Sequence, residues 1–454
     1  MSGLPTIRAL QQALSNNETS SVELVAAALD RIADPAGEGA RAFTRVYADQ
    51  AMQAAQASDT LRKAGLARSP LEGLPISVKD LFDVAGDTTT AGSVVLKDKP
   101  AATRNALVVQ RLLDAGAVLV GRTNMTEFAY SGLGINPHYG SPSSPWDRET
   151  GRISGGSSSG AGVAVADQMS VMSLGTDTGG SIRIPSAFCG ITGFKPTARR
   201  IPSDGTLPLS SSLDSSGPLA ASVECCAIVD AILAGKPAHD LNVPEAKQLR
   251  FAVPSSMVLE DADDHVLAVF EQALDALRQA GAQIDTIDIP EFERLPYINR
   301  KGGLIAAEAY AWHAELIEEG HDKYDPLVVS RILRGRDMTA ADYIEVLEER
   351  PKWQRAVGAR LAYYDALLMP TTPLVAPAIK ALQADEDTYF STNLTILRNP
   401  TFINYLDGCG LSLPCHPAGT APVGLMVAGP AMRDTHILGV GLQVERVLEA
   451  VRNA

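Results

Sequence analysis

The chain has 454 residues, of which 45% are hydrophobic and 20% charged, and a formal net charge of −14 at pH 7. Such a length and composition suit a globular enzyme with an extensive core, and the acidic excess argues against general binding to nucleic acid or anionic membranes. No apolar run reaches the length of a bilayer span and no secretory signal pattern is visible, so a cytoplasmic location is expected.

The predicted elements follow in chain order. Ser20 and Glu23 form a capping box ahead of Leu24, Val25, Ala28, Leu29 and Ile32 at helical spacing. A second helix is expected over 46–64, and a short buried strand over 74–80 that ends in Lys79 and Asp80. A helix over 108–115, stopped by Gly116 and followed by a strand over 117–120, is the grammar of α/β construction. It recurs as an amphipathic helix over 262–280, Gly281 and a strand through Ile284, Ile287 and Ile289. Strands are also expected at 171–174, 251–253, 411–413 and 423–427, a helix at 161–167 and a closing helix at 434–451. Residues 201–218, rich in Ser, Pro and Gly, read as an ordered surface loop, and 297–364 as a peripheral helical cap. With no repeat and no linker, the chain reads as one large α/β domain over 1–454 with a mixed, mostly parallel sheet.

The five cysteines (Cys189, Cys225, Cys226, Cys409 and Cys415) are odd in number and lack zinc-type spacing, so buried free thiols are expected. No metal or cofactor is expected, because neither His-Glu-x-x-His nor a paired ligand spacing occurs.

The chemistry concentrates between Ser154 and Thr197. Ser181 follows Gly179-Gly180 and precedes Ile182-Arg183-Ile184-Pro185. Such a turn suits a nucleophile, whose oxyanion the N–H groups of Thr178, Gly179, Gly180 and Ser181 could receive, but equally a phosphate cradle or a helix cap. The chain has neither a Gly-x-Ser-x-Gly elbow nor a P-loop. Ser157 and Ser158 sit in Gly155-Gly156-Ser157-Ser158-Ser159-Gly160, which reads either as a cap for the helix that follows or as part of a site. Lys79 closes an apolar strand. There it is a snorkelling lysine or a desolvated amine with a lowered pKa, fit to act as a base. None of the seven histidines has a Ser-His-Asp context, and each reads as structural or solvated. His416, beside Cys415, is the one to compare with the site.

These residues resemble the amidase signature enzymes. The block from Gly155 to Thr197 matches their defining motif, and further matches extend over most of the chain. They include Gly73-Leu74-Pro75-Ile76-Ser77-Val78-Lys79-Asp80, Gly121-Arg122-Thr123-Asn124-Met125-Thr126-Glu127-Phe128, Leu213-Asp214-Ser215-Ser216-Gly217-Pro218 and Pro422-Val423-Gly424-Leu425. The resemblance implies a twisted sheet with helices on both faces, a core motif over 73–220 and a variable substrate cap over about 297–364. It also implies a triad: Ser181 as nucleophile, Ser157 as bridge after a cis peptide and Lys79 as base. Ser158, Asp177 and Arg183 match residues that brace such a site, and Met125, Tyr130, Gly132 and Ile184 match positions expected in the substrate pocket.

The expected function is hydrolysis of a small-molecule amide, anilide, carbamate or ester through an acyl-enzyme. A homodimer is compatible with the sequence. Two alternatives are carried. One is the glutaminase component of a tRNA-dependent amidotransferase. Against it, Ile184 stands where those proteins typically have Gln, and Leu397 where they have an Asp that contacts the glutamine amine. The other is a non-catalytic binding protein on the same fold. Leu397, Phe402 and Ile403 are expected to face an uncharged or aromatic substrate.

Overall fold

The computed structural model describes residues 3–237 and 241–452; His239 lies outside the described residues. Its centre is an 11-stranded sheet. In chain order the strands are β1 (Phe43–Val46), β2 (Pro75–Lys79), β3 (Val118–Thr123), β4 (Met172–Asp177), β5 (Thr192–Lys195), β6 (Ser215–Ala220), β7 (Arg250–Pro254), β8 (Gln283–Ile287), β9 (Ala366–Pro370), β10 (Cys409–Pro414) and β11 (Gly424–Gly429). In space they run β1-β3-β2-β4-β6-β5-β10-β11-β9-β7-β8.

The expected mixed α/β sheet is present, but its parallel share is smaller than expected. The ladders β2–β3, β2–β4, β7–β8 and β7–β9 are parallel. The middle of the sheet, from β4 through β6, β5, β10 and β11 to β9, is antiparallel throughout. The helix–Gly–strand units that suggested parallel pairing lie in the two flanks, whereas the centre is stitched by strands without that signature. β2 has parallel neighbours on both sides and all five of its residues are buried, including the polar Ser77 and Lys79.

β6 corrects the reading of 201–218 as surface loop. Ser215–Ala220 is a fully buried central strand. Its lack of large side chains lets neighbouring backbone come close: a Cβ on Gly217 would lie 2.3 Å from the Phe194 carbonyl oxygen. β1, β5 and β9 also went unread, being four or five residues long with no clear alternation.

Several helices follow their sequence signals. Ser20 accepts the Glu23 N–H and Glu23 returns to the Ser20 N–H, opening Ser21–Ala33. Asp264–Gln279 buries Val266, Phe270, Leu274 and Leu277 on one face, as its periodicity requires. The chain closes on helix Asp434–Arg452. The cap consists mainly of helices Gly303–Gly320, Pro326–Leu333 and Ala340–Leu361. Buried Glu127 ties it to the body, accepting from the Asp325 N–H at 2.7 Å and from the Ser93 hydroxyl at 2.6 Å. All five cysteines are buried and none is in a disulfide, with Cys225 and Cys226 in helix Val223–Leu233. Among the described residues no helix is long and apolar enough to cross a membrane.

The crowding at Gly217 gives a direct check on β6. Gly217→Ala should cost about 1–3 kcal/mol of stability through overpacking, read from urea midpoints. An unchanged midpoint would remove β6 from the sheet centre.

Candidate active site

Lys79 ends β2 and is completely buried. Its Nζ donates to Ser157 Oγ at 2.7 Å and to Thr176 Oγ1 at 2.8 Å. Burial pushes the ammonium down to about 7, against the opposing charges of Asp214 and Asp177. Asp214 shifts the other way: burial raises its carboxyl to about 6, although Thr178 Oγ1 donates to it at 2.5 Å and the Ser210 and Leu209 N–H groups also donate. Sequence reasoning missed Thr176, an acceptor that fixes one proton of the Lys79 amine. Its only signal is its type, one of three polar residues in a wholly buried strand.

Ser157 follows a cis peptide bond from Gly156. Its loop is held by the segment after β3. The Thr126 N–H donates to the Ser157 carbonyl at 3.0 Å, and the Gly156 N–H donates to the Gly132 carbonyl at 2.8 Å. Ser158 links this loop to the next: its N–H donates to the Ser181 carbonyl at 3.3 Å, and its hydroxyl to the Thr176 carbonyl at 3.3 Å. Ser181 is 4% exposed, whereas Lys79, Ser157 and Ser158 are each 0%. All four are buried, Ser181 slightly less completely than the other three.

Behind Ser181 lies a buried carboxylate with six donors. Asp177 accepts from the N–H groups of Gly180 (2.9 Å), Ile182 (3.1 Å) and Arg183 (3.4 Å). It also accepts from Arg183 Nε and Nη2 (3.0 and 2.9 Å) and from Asn404 Nδ2 (2.8 Å). Burial alone would raise this carboxyl, yet the Arg183 guanidinium and the other donors hold it well below the usual carboxylate range. Arg183 Nη2 donates as well to Asn404 Oδ1 at 2.6 Å. Asp177 and Arg183 are thus paired directly behind the Ser181 turn. Asn404, whose part was not anticipated, joins them from helix Glu386–Tyr405.

Two sets of expectations are corrected. The Gly180 N–H is committed to Asp177, so of the four amides expected to face an oxyanion it is the one already directed elsewhere. Of the expected pocket residues, Gly132 and Ile184 adjoin the turn before Ser181. A Cβ on Gly180 would lie 2.6 Å from Ile184 Cδ1, and one on Gly132 3.2 Å from the same atom. Met125 and Tyr130 are instead buried in the main hydrophobic core. Met125 packs beneath Gly92, and Tyr130 stacks under Arg331. Leu397 approaches Gly132 and Gly179. Phe402 and Ile403 turn away into a second core, where Phe402 stacks on Phe292 at 3.9 Å. One helix carries all three residues, and only the face with Leu397 looks toward the glycine turn. His416 lies against Gly190, at the C-terminal end of helix Arg183–Cys189, while Ser181 precedes its N-terminal end.

The chain belongs to the amidase family, whose profile matches residues 23–438. It is 36% identical over 406 residues to the 2-amino-5-chloromuconic acid deaminase of Comamonas testosteroni, covering 88% of this chain and 87% of that protein. It is 34% identical over 479 residues to the A subunit of glutamyl-tRNA(Gln) amidotransferase from Chloroflexus aggregans, covering 98% and 96%. A crystal structure of an amidase superposes with a TM-score of 0.87 at 32% identity, covering 97% of this chain and 99% of that one. The peptide amidase of Stenotrophomonas maltophilia gives 0.80 at 26% identity, covering 98% and 97%.

Two stability measurements test this geometry. Asp177→Asn leaves Arg183 buried without a counter-charge and should cost about 3–5 kcal/mol, read by chemical denaturation. Lys79 has a folded pKa of about 7 against an ordinary value of 10.5, so the unfolded chain binds more protons between those values. Lys79→Met should therefore be more stable than wild type at pH 7, with the advantage shrinking as pH rises toward 10. An advantage that does not vary with pH would mean that Lys79 is not desolvated.

Proposed function

We propose that the protein hydrolyses a small-molecule amide through an acyl-enzyme, with Ser181 as nucleophile, Ser157 as relay and Lys79 as base. One observation carries this reading: the buried Lys79 amine, lowered to about 7, lies 2.7 Å from the Ser157 hydroxyl. When Lys79 is neutral the same contact reverses. The Thr176 hydroxyl keeps one amine proton, and the Nζ lone pair accepts from Ser157. Ser157 in turn accepts from Ser181, and the Ser181 oxygen attacks the amide carbon. The amides of Thr178, Gly179 and Ser181 supply the donors for the oxyanion. The relayed proton returns to the leaving amine as the C–N bond breaks. Water then enters, is deprotonated by the same relay and releases the acid.

The relatives named as a deaminase, a peptide amidase and an amidotransferase component differ in substrate but act in the same family. A second reading, the glutaminase component of an amidotransferase, has one specific support: near full-length similarity to such proteins. The aliphatic side chains of Ile184 and Leu397 beside the serine turn favour hydrolysis of an independent substrate instead. Glutaminase activity that depends on a co-purified partner would reverse that preference.

A fluorophosphonate probe should label wild type and not Ser181→Ala; no label on wild type would favour a non-catalytic binding protein. Lys79→Ala should lose about 10²–10⁴ in kcat. Wild-type kcat/KM should fall as pH drops through about 7, where Lys79 takes up its proton. A flat acid limb, or normal turnover without Lys79, would remove lysine from the mechanism.

A further inference from the structure

Helix Pro326–Leu333 of the cap carries Arg331, and Arg334 follows at its C-terminal end. Other cations in and around the cap have carboxylate partners, among them Arg294, Arg300, Lys301, Arg336, Lys352 and Arg360. The groups that act electrostatically on Arg331 are Tyr130, Tyr389 and Arg334, with no carboxylate among them. Arg331 is partly buried, and burial lowers its affinity for a proton. A guanidinium nevertheless stays charged. A desolvated cation without a counter-ion is costly, and the cost is offset when an anion binds. In a chain of net charge −14, Arg331 and Arg334 stand three residues apart, and no carboxylate acts on Arg331.

The place of Arg331 connects it to the serine turn. Its Nη1 donates to the Tyr130 carbonyl, and its guanidinium carbon lies 4.5 Å from the centroid of the Tyr130 ring. The other four guanidinium N–H groups are not used by that bond. From Tyr130 the chain runs directly to Ser131 and Gly132. Ser131 Oγ and the Gly132 N–H both donate to Asn393 Oδ1, at 3.0 and 2.9 Å, and the Gly132 carbonyl receives the Gly156 N–H beside Ser157. At Gly132 the wall is hydrocarbon: an added Cβ would lie 3.1 Å from Leu397 Cδ2 and 3.2 Å from Ile184 Cδ1. A cationic end and an aliphatic wall thus flank one short segment next to the reactive serines.

We propose that Arg331, with Arg334 beside it, binds a carboxylate on the acyl portion of the substrate, so that the bond cleaved at Ser181 is the amide of a dicarboxylic acid. The carbon chain between the two carbonyl carbons passes the wall made by Leu397 and Ile184. The inference rests on the amidase reading above and narrows it to a substrate class.

Two measurements test it. In wild type, kcat/KM for the monoamides of succinic, glutaric and adipic acid is compared with that for neutral amides of matched length. At least one acid should exceed its neutral partner by about 10–100-fold, the worth of a charge-assisted hydrogen bond, and mainly through KM. Arg331→Met should lower the acid's kcat/KM at least tenfold more than the neutral amide's, with Arg331→Lys in between. The second measurement is calorimetric binding of the free dicarboxylates to Ser181→Ala, which needs no turnover. Binding should weaken at least tenfold when Arg331→Met is added. Equal kcat/KM for every acid and neutral pair, with no dicarboxylate binding, overturns the proposal. If that result comes with fluorophosphonate labelling and turnover of neutral amides, the amidase reading survives alone. Arginine-dependent binding without labelling would instead preserve the carboxylate site and sink the amidase reading.

Discussion

The geometry around Ser181 depends on one buried carboxylate. Asp177 ends β4 and gathers the Gly180 and Ile182 amides, the Arg183 guanidinium and the Asn404 amide. No element taken alone fixes the serine turn. The strand supplies the anion, the helix after the turn supplies the cation, and the long helix Glu386–Tyr405 supplies a further amide donor. A carboxylate buried without this set would take up a proton and release the loop. With it, the turn is held by charge-assisted hydrogen bonds on both sides of Ser181. The same carboxylate reaches Lys79 through its field, so the bracing of the turn and the tuning of the amine are one electrostatic problem.

Burial sets the sign of that tuning. Lys79 is desolvated enough to approach neutrality, and Asp214 and Asp177 limit how far it falls. Asp214 moves upward toward it under its own burial. Two groups of opposite charge, each pushed by lack of water toward its neutral form, leave the amine within reach of either protonation state near pH 7. That is the condition a proton relay needs.

Much of this was legible in the sequence, for identifiable reasons. The lysine at the end of an apolar run and the serines in glycine turns carry their chemistry in residue type and local spacing. Helices with a capping box or a strong apolar face, such as Ser21–Ala33 and Asp264–Gln279, followed the same way. β6 did not, because a Ser-Ser-Gly-Pro strand has no hydrophobic pattern; its position is set by how closely Phe194 and Gly217 approach in three dimensions. The roles of Thr176 and Asn404 were hidden because polar residues gain meaning only from distant partners. Met125 and Tyr130 erred in the opposite direction. Adjacent to the site in sequence, they are turned into the core by the path of the chain after β3. Phe402 and Ile403 share a helix with Leu397 but not the face that matters.

The clamp on Asp177 closes with a side chain 227 residues further along the chain, since Asn404 arrives only after the entire cap and β9. While the chain is being synthesised, Lys79, Ser157 and Ser181 all leave the ribosome before the residue that completes their support. The turn that carries Ser181 is thus synthesised well before the helix that completes its support.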